Sequence, residues 1–173
     1  MKISRLIIPI VTTVLLIYGC GPLGLTSQEK AEQAARTAAF VKNSLDSRRY
    51  CISVNRMFPR RGTSKSLSTP YSVKVEGNKL HSYLPYAGVA YSVPYGGGKA
   101  LNFDSDIVEY REDFSRSDRR VITLSTDNGE DFLIYTITVF DNGKADIDVR
   151  SRNREGIGFS GEIDETYVPD VKN

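Results

Sequence analysis

One histidine, two cysteines and no tryptophan are found among the 173 residues of the chain. The histidine, His81, is predicted to lie exposed and without a partner on the polar face of a β-hairpin, so a catalytic triad or a histidine metal site lacks a second member. The phosphate loop G-x-x-x-x-G-K-[ST] is also absent, because Ala100 follows Gly98-Lys99. Asp104-Ser105-Asp106 lacks the glycine and the glutamate of a calcium loop. The sequence therefore predicts no catalytic residue, no metal ligand and no cofactor.

Of the two cysteines, Cys20 ends a segment with the layout of a secretory signal peptide. Lys2 and Arg5 precede an apolar run, residues 6–18, which is shorter than the ~20 residues that span a bilayer. The sequence Ile-Tyr-Gly-Cys at 17–20 is similar to a bacterial lipobox, in which acyl chains such as palmitate are attached to the cysteine and the signal is removed just before it. The alternative is a plain secretory signal with an incidental cysteine.

Lipidation of Cys20 predicts a signal peptide (1–19), a tether (20–26) and a membrane as the first partner of the protein. Removal of the signal leaves 154 residues with 21 basic and 21 acidic groups. Such a neutral chain has no electrostatic basis for binding nucleic acid.

Cys51 is then the lone thiol and is interpreted as a small core residue; the alternative, a catalytic cysteine, would need His81 as its base.

A helix is predicted directly after the tether. Thr26 and Glu29 match a capping box, and the helix is expected from Gln28 to about Leu45. Its apolar stripe has helical spacing and consists mostly of alanine, which favours close packing on a sheet. The stripe is formed by Ala31, Ala34, Ala35, Ala38, Val41 and Leu45. We expect it to cover the sheet face that bears Leu133, Tyr135 and Ile137.

Three tight turns predict an antiparallel meander: Gly77-Asn78, Asn128-Gly129 and Asn142-Gly143. If each is a two-residue turn, Phe140 faces Ala145 and Thr136 faces Val149 across the third turn. The strand from Phe132 to Phe140 is then apolar on both faces. The predicted fold class is mainly β (α+β), with the N-terminal helix packed on an antiparallel meander that forms a sandwich or a partly open barrel. We expect a single domain over 27–163 and a flexible tail over 164–173.

Residues 83–98 differ in composition from the strands around them. They contain four tyrosines, two prolines and three consecutive glycines, and Pro85 and Gly88 interrupt any strand alternation. Tyrosines beside exposed glycine backbone can stack on rings and bond polar groups, which predicts a binding surface. The predicted binding residues are Tyr83, Tyr86, Tyr91, Tyr95, Gly96, Gly97 and Gly98. The alternative is that the tyrosines pack the core and the glycines turn a corner.

Several motifs resemble a family of small Bacteroidetes lipoproteins that share a domain of unknown function. They are Leu-Asp-Ser-Arg-Arg-Tyr at 45–50, Ser-Tyr-Leu-Pro-Tyr at 82–86, Pro-Tyr-Gly-Gly-Gly-Lys at 94–99, Leu-Asn-Phe at 101–103 and Ser-Arg-Asn-Arg at 151–154. The resemblance implies a cell-envelope lipoprotein and assigns no activity. Surface-exported lipoproteins of that group carry acidic residues just after the cysteine, and none follows Cys20 here, which favours the periplasmic side of the outer membrane.

The predicted function is therefore a non-catalytic envelope lipoprotein that binds a small ligand or an envelope protein. The alternative is an envelope enzyme, such as a hydrolase, that uses carboxylates without a recognisable pattern.

Overall fold

Eight antiparallel strands follow one helix in the computed structural model, which describes residues 26–92 and 98–169. The elements are α1 (Ser27–Asp46), β1 (Arg49–Pro59), β2 (Lys65–Glu76), β3 (Lys79–Tyr83), β4 (Asn102–Asp113), β5 (Arg119–Asp127), β6 (Phe132–Phe140), β7 (Lys144–Ser151) and β8 (Ile157–Ile163). Each strand pairs with the next, and β8 pairs back with β1. The predicted mainly β fold is confirmed, and its sheet is a closed barrel. No helix in the described ranges is long and apolar enough to cross a membrane.

The barrel interior is filled with apolar side chains. In β6, the inward residues are fully buried and the outward residues are half-buried, as alternation along a strand requires. Two tyrosines, Tyr50 and Tyr135, are fully buried, and the Tyr135 hydroxyl donates to Ser82 Oγ at 2.9 Å. Ser82 in turn donates to the Leu101 carbonyl at 2.8 Å, so these buried hydroxyls are satisfied. An eight-stranded barrel is just wide enough for such side chains, which leaves ligands to the ends and the outer surface.

The three predicted hairpins are present, but two have longer loops than expected. Gly77-Asn78 is the predicted two-residue turn, since Glu76 pairs with Lys79. At Asn128-Gly129, Asp127 pairs with Phe132, so the loop is two residues longer than predicted. Because side chains alternate between the two faces of a strand, a register shift of two residues keeps every side chain on its predicted face. The faces predicted for β5 and β6 relative to each other are therefore correct.

The Asn142-Gly143 hairpin has one residue more than predicted, and the predicted register is wrong. Val139 pairs with Ala145, and Gly143 has φ +82° and donates to the Phe140 carbonyl at 2.9 Å. This is the geometry of a three-residue loop with glycine in the left-handed region. The offset of one reverses the faces of β7. Ile147 and Val149 consequently lie inside, opposite Ile137 and Tyr135.

The outward face of β6 is covered by arginine side chains rather than by the helix. The Arg152 guanidinium lies 5.7 Å from the Phe132 ring centroid, and the Arg119 guanidinium lies 5.2 Å from that of Phe140. Long basic side chains can cover apolar surface while their charged ends stay in water. This explains how a strand that is apolar on both faces exists in a barrel over which the described residues place no second sheet.

The helix begins as predicted and docks elsewhere. The Thr26–Glu29 capping box is formed, and Val41 and Leu45 are buried. Leu133, Tyr135 and Ile137 point into the barrel, so the predicted packing face is wrong. Instead, α1 contacts β1 and covers the barrel end where β6 finishes, lining a groove with Val139. The stripe residues Ala31, Ala34 and Ala35 are exposed.

Ion pairs fasten the C-terminal end of α1 to the barrel. Arg120 Nη1 on β5 lies 2.7 Å from Asp46 Oδ1 and 3.3 Å from Glu112 Oε2. Hydrogen bonds from Lys42 and then Arg120 lower the pKa of the Asp46 carboxyl. The arginine thus joins the helix to two strands.

The first described residues of the predicted tail also contact the barrel. Asp164 N donates to the Cys51 carbonyl at 2.8 Å, and the Tyr167 hydroxyl donates to the Glu76 carboxylate. Thr37 on the helix donates to Glu165 Oε1 at 3.0 Å. Residues 170–173 lie outside the described ranges.

The contact between β1 and β8 yields a stability prediction. A Cβ added at Gly161 would lie 2.0 Å from the Ser53 carbonyl oxygen, which belongs to the backbone and cannot rotate away. Gly161→Ala is therefore expected to lower the free energy of unfolding by about 2–3 kcal/mol. Gly158→Ala on the same strand is the control, because its nearest contact, Phe58 Cβ, is at 3.6 Å. Equal urea midpoints for the two variants would contradict this account of the barrel closure.

The docking of α1 yields a second prediction. Val41→Asp places a charge in a site that is 3% exposed, and we expect a loss of about 3–5 kcal/mol. Ala35→Asp, at an exposed position of the same helix, is expected to cost less than about 1 kcal/mol, mostly through helix propensity. Thermal or urea unfolding measures both. Equal losses would show that the alanine stripe is buried after all.

Candidate functional site

The segment between β3 and β4 lies over the barrel end opposite α1. Its two ends are anchored in the core by Leu84 and Leu101, whose backbones are joined by a 3.1 Å hydrogen bond. Its middle is bonded to the connection between β7 and β8, where Tyr91 N donates to the Asn153 carbonyl at 2.8 Å. Glu155 N donates to the Val89 carbonyl at 2.9 Å. Two connections that are distant in sequence therefore form one surface at this end.

The structure separates the predicted binding tyrosines into different environments. Tyr83 is 42% exposed, and its ring centroid lies 5.2 Å from that of Tyr71. Tyr86 is half-buried, and its hydroxyl lies within 3.0 Å of the carbonyls of Val89 and Glu155. Tyr91 is 68% exposed.

The glycine run is described only in part. Gly98 has φ +69°, a conformation that glycine adopts without steric cost. Tyr95, Gly96 and Gly97 lie outside the described residues, as does the predicted lipidation residue Cys20.

Tyr91 lines a cleft of about 640 Å³ that we call the arginine cleft. Its lining residues are Arg60, Tyr91, Arg150, Ser151, Arg154, Glu155 and Gly156. Three guanidinium groups come from the end of β1, the end of β7 and the β7–β8 connection. Of the predicted binding residues in the described ranges, only Tyr91 lines this cleft.

Arg154 is the buried member of the cleft, with 7% of its surface exposed. Its guanidinium lies 5.5 Å from the Tyr86 ring centroid, a cation–π contact. Across residues 26–92 and 98–169, no carboxylate forms an ion pair with it. A buried cation without an anion is costly, so such a group is a candidate for ligand binding. Burial raises the pKa of the Tyr86 hydroxyl, so this ring stays neutral beneath the guanidinium.

Of the other charged residues that line the arginine cleft, Arg150 and Glu155 form ion pairs, and among the described residues Arg60 does not. Arg150 Nε lies 3.1 Å from Asp148 Oδ1, and Glu155 Oε1 lies 3.3 Å from Arg61 Nε. Arg60 is exposed and, within the described part of the chain, has no ion-pair partner. Two guanidinium groups, those of Arg60 and Arg154, are therefore not neutralised by a described carboxylate.

A buried carboxylate fixes the wall of the cleft. Asp131, 7% exposed, accepts hydrogen bonds from the Ser151 hydroxyl and from the backbone N–H groups of Arg152 and Asn153 at 3.2 Å. The Asn153 side chain donates to the Glu130 carbonyl at 3.1 Å. The β5–β6 hairpin therefore positions the start of the β7–β8 connection, and that connection holds Tyr91.

Cys51 and His81 do not form a catalytic pair. They lie on one outward row of the sheet, with Lys74 of β2 between them in register. Two strand spacings, about 10 Å, separate the cysteine from the histidine. Burial, and then the negative charge of Asp164, raise the pKa of the Cys51 thiol, which keeps it protonated.

His81 itself has partners, and the prediction that it is unpartnered is wrong. Its Nδ1 lies 2.7 Å from Asp104 Oδ1, and its Nε2 lies 3.5 Å from Glu76 Oε2. The face of this residue was predicted correctly, but its neighbour on β4 was not, because that strand follows β3 only after a long connection.

The arginines of the cleft were not predicted as a site. In the sequence, Arg60 lies in a basic stretch rich in Ser and Thr, and Arg150 and Arg154 lie in a stretch of alternating charged residues; both patterns are typical of solvated surface. The order of the strands could have indicated this site. In an up-and-down meander the end of β1, the end of β7 and the start of β8 lie at the same end of the sheet. Chemically, the arrangement can bind an oxyanion through guanidinium groups and a ring through Tyr91.

Comparison with known proteins places the chain in a family. A comparison with curated proteins found no match. A crystal structure at 1.95 Å of a DUF4251 family protein from Bacteroides eggerthii is similar, with a TM-score of 0.55 and 14% identity over 75% of this chain and 87% of that one. At this identity the likeness shows the fold alone. The family model described as "Domain of unknown function (DUF4251)" matches residues 32–163, which include α1 from its second turn and all eight strands. The chain therefore belongs to the DUF4251 family.

Proposed function

We propose that the protein is a non-catalytic, lipid-anchored module of the cell envelope that binds a ligand or partner in the arginine cleft. The observation that carries this proposal is Arg154, a residue of the cleft wall that is only 7% exposed and has no carboxylate partner in the described ranges. Tyr91 supports it as an exposed aromatic ring beside that charge. Aromatic and arginine side chains are the residue types that contribute most to binding surfaces.

The geometry of the barrel is compatible with an anchor at Cys20. The helix that follows the tether lies at one barrel end, and the arginine cleft lies at the other. The tether before Ser27 can extend by only ~3.5 Å per residue, so it holds α1 close to the membrane. The cleft then faces away from the bilayer and is accessible to a ligand. We place the protein on the periplasmic side of the outer membrane, because no acidic residue directly follows Cys20.

Replacement of the lipidation residue tests the anchor. Cys20→Ser removes the only sulfur to which acyl chains could be attached at the end of the signal. We expect the protein to move from the membrane pellet to the soluble fraction, and from the detergent-rich to the aqueous phase of a Triton X-114 separation. Cys51→Ser is the matched control and should stay with the membranes. Membrane partitioning of Cys20→Ser equal to that of the natural chain would exclude lipidation at this residue.

A pair of tyrosine variants tests the cleft. Tyr91→Ala removes the exposed ring of the arginine cleft, whereas Tyr83→Ala removes an exposed ring outside it. The full chain, immobilised through a C-terminal tag, is incubated with detergent-solubilised envelope, and the retained molecules are identified by mass spectrometry. We expect retention to fall at least tenfold for Tyr91→Ala and to stay unchanged for Tyr83→Ala.

Both variants should unfold at nearly the temperature of the natural chain, since neither ring is buried. Equal retention by the two variants would show that the cleft is not the binding surface.

A further inference from the structure

The charge balance of the arginine cleft indicates how many negative charges its ligand carries. Arg150 and Glu155 are each paired with a neighbour of opposite charge, at 3.1 and 3.3 Å. Arg60 and Arg154 have no such partner in the described part of the chain. Two uncompensated guanidinium groups match a group with close to two negative charges. A phosphate monoester has about −1.5 to −2 at pH 7, whereas a carboxylate has one.

The chemistry of the donors also favours phosphate. A guanidinium offers N–H donors in a fixed fork that fits two oxygens of a phosphate. Arg154 is largely removed from water and held over the Tyr86 ring, so its orientation is restricted before the ligand arrives. A restricted, poorly hydrated donor loses little entropy and little hydration on binding. Arg60, which is exposed, adds long-range attraction that depends on ionic strength.

Two further residues suggest what the phosphate is attached to. The exposed ring of Tyr91 lines the same cleft and can pack against one face of a sugar ring. One carboxylate oxygen of Glu155 is paired with Arg61. The other accepts a long hydrogen bond from Val89 N, at 3.4 Å. A carboxylate has several lone-pair sites, so Glu155 can also accept a hydrogen bond from a hydroxyl group.

We propose that the arginine cleft binds a phosphorylated sugar, with the phosphate on Arg154 and Arg60 and the ring against Tyr91. The proposal rests on the function proposed above and specifies the class of ligand.

Isothermal titration calorimetry of the full chain in mild detergent, at pH 7.5 and low ionic strength, tests it. The titrants are glucose 6-phosphate, inorganic phosphate, glucuronate and glucose. These titrants distinguish binding of a sugar phosphate from binding of free phosphate, of a sugar carboxylate and of a neutral sugar. We expect glucose 6-phosphate to bind most tightly, inorganic phosphate and glucuronate at least about tenfold more weakly, and glucose not measurably.

Arginine variants locate the site. Arg154→Gln is expected to weaken glucose 6-phosphate binding about tenfold or more, as expected for loss of a charge-assisted hydrogen bond. Arg60→Gln should weaken it about threefold and, because the side chain is exposed, leaves the fold intact even if Arg154→Gln does not fold. Arg36→Gln is the control, with a side chain that is 83% exposed on the helix at the opposite barrel end. It should bind as the natural chain does.

Three results would overturn the proposal: no binding of glucose 6-phosphate, equal binding of glucuronate, or an equal effect of Arg36→Gln and Arg60→Gln. If glucose 6-phosphate does not bind while Tyr91→Ala still abolishes retention of envelope material, the ligand class is wrong and the proposed function stands. If Tyr91→Ala changes neither the retention of envelope material nor the affinity for glucose 6-phosphate, both the ligand class and the proposed function are wrong.

Discussion

The pairing of β1 with β8 is the interaction on which the rest of the structure depends. It closes the sheet, so that neither strand presents an open edge of backbone N–H and C=O groups along the paired stretch. The strands approach so closely at Gly161 and Ser53 that a side chain at the glycine has no room. Closure also fixes what the interior can hold, because eight strands enclose a space that side chains fill. Any ligand must therefore bind at an end of the barrel or on its surface, and one end is occupied by α1.

Much of the fold could be predicted from local signals. The capping box at Thr26 set the start of the helix, and three turns containing Asn and Gly set the order of the hairpins. The docking face of the helix and the lengths of two loops were predicted wrongly. The Asn128-Gly129 loop differed by two residues, which left the faces unchanged, whereas the Asn142-Gly143 loop differed by one, which reversed the faces of β7. Local sequence identifies a glycine that needs positive φ, but a two-residue and a three-residue loop both need one. Burial of Ile147 and Val149 decides between them, and that depends on the closed barrel.

The candidate site could be predicted only in part, for a different reason. Composition drew attention to residues 83–98, and Tyr91 of that segment does line the arginine cleft. Tyr86 instead supports the site from below, with its hydroxyl near two carbonyls and its ring under Arg154. The charged residues come from three other places in the chain. Along the sequence each looks like an ordinary solvated arginine. Only the barrel brings them together, and only burial distinguishes Arg154 from the rest.

Burial of Arg154 costs hydration free energy, and the surrounding contacts offset part of this cost. The Arg154 side chain gains a cation–π contact with Tyr86, which is worth less than full hydration of a guanidinium. The connection that carries it is held by the fully bonded Asp131 carboxylate and by backbone hydrogen bonds that Glu155 and Asn153 form with Val89 and Tyr91. A rigid frame around an uncompensated charge is the arrangement expected of a binding site, because the frame keeps the charge in place when no ligand is bound. A residue that served stability alone would be better replaced by an apolar side chain of similar volume. The expected cost of burying Arg154 is thus the physical basis for the proposal that the cleft binds a ligand.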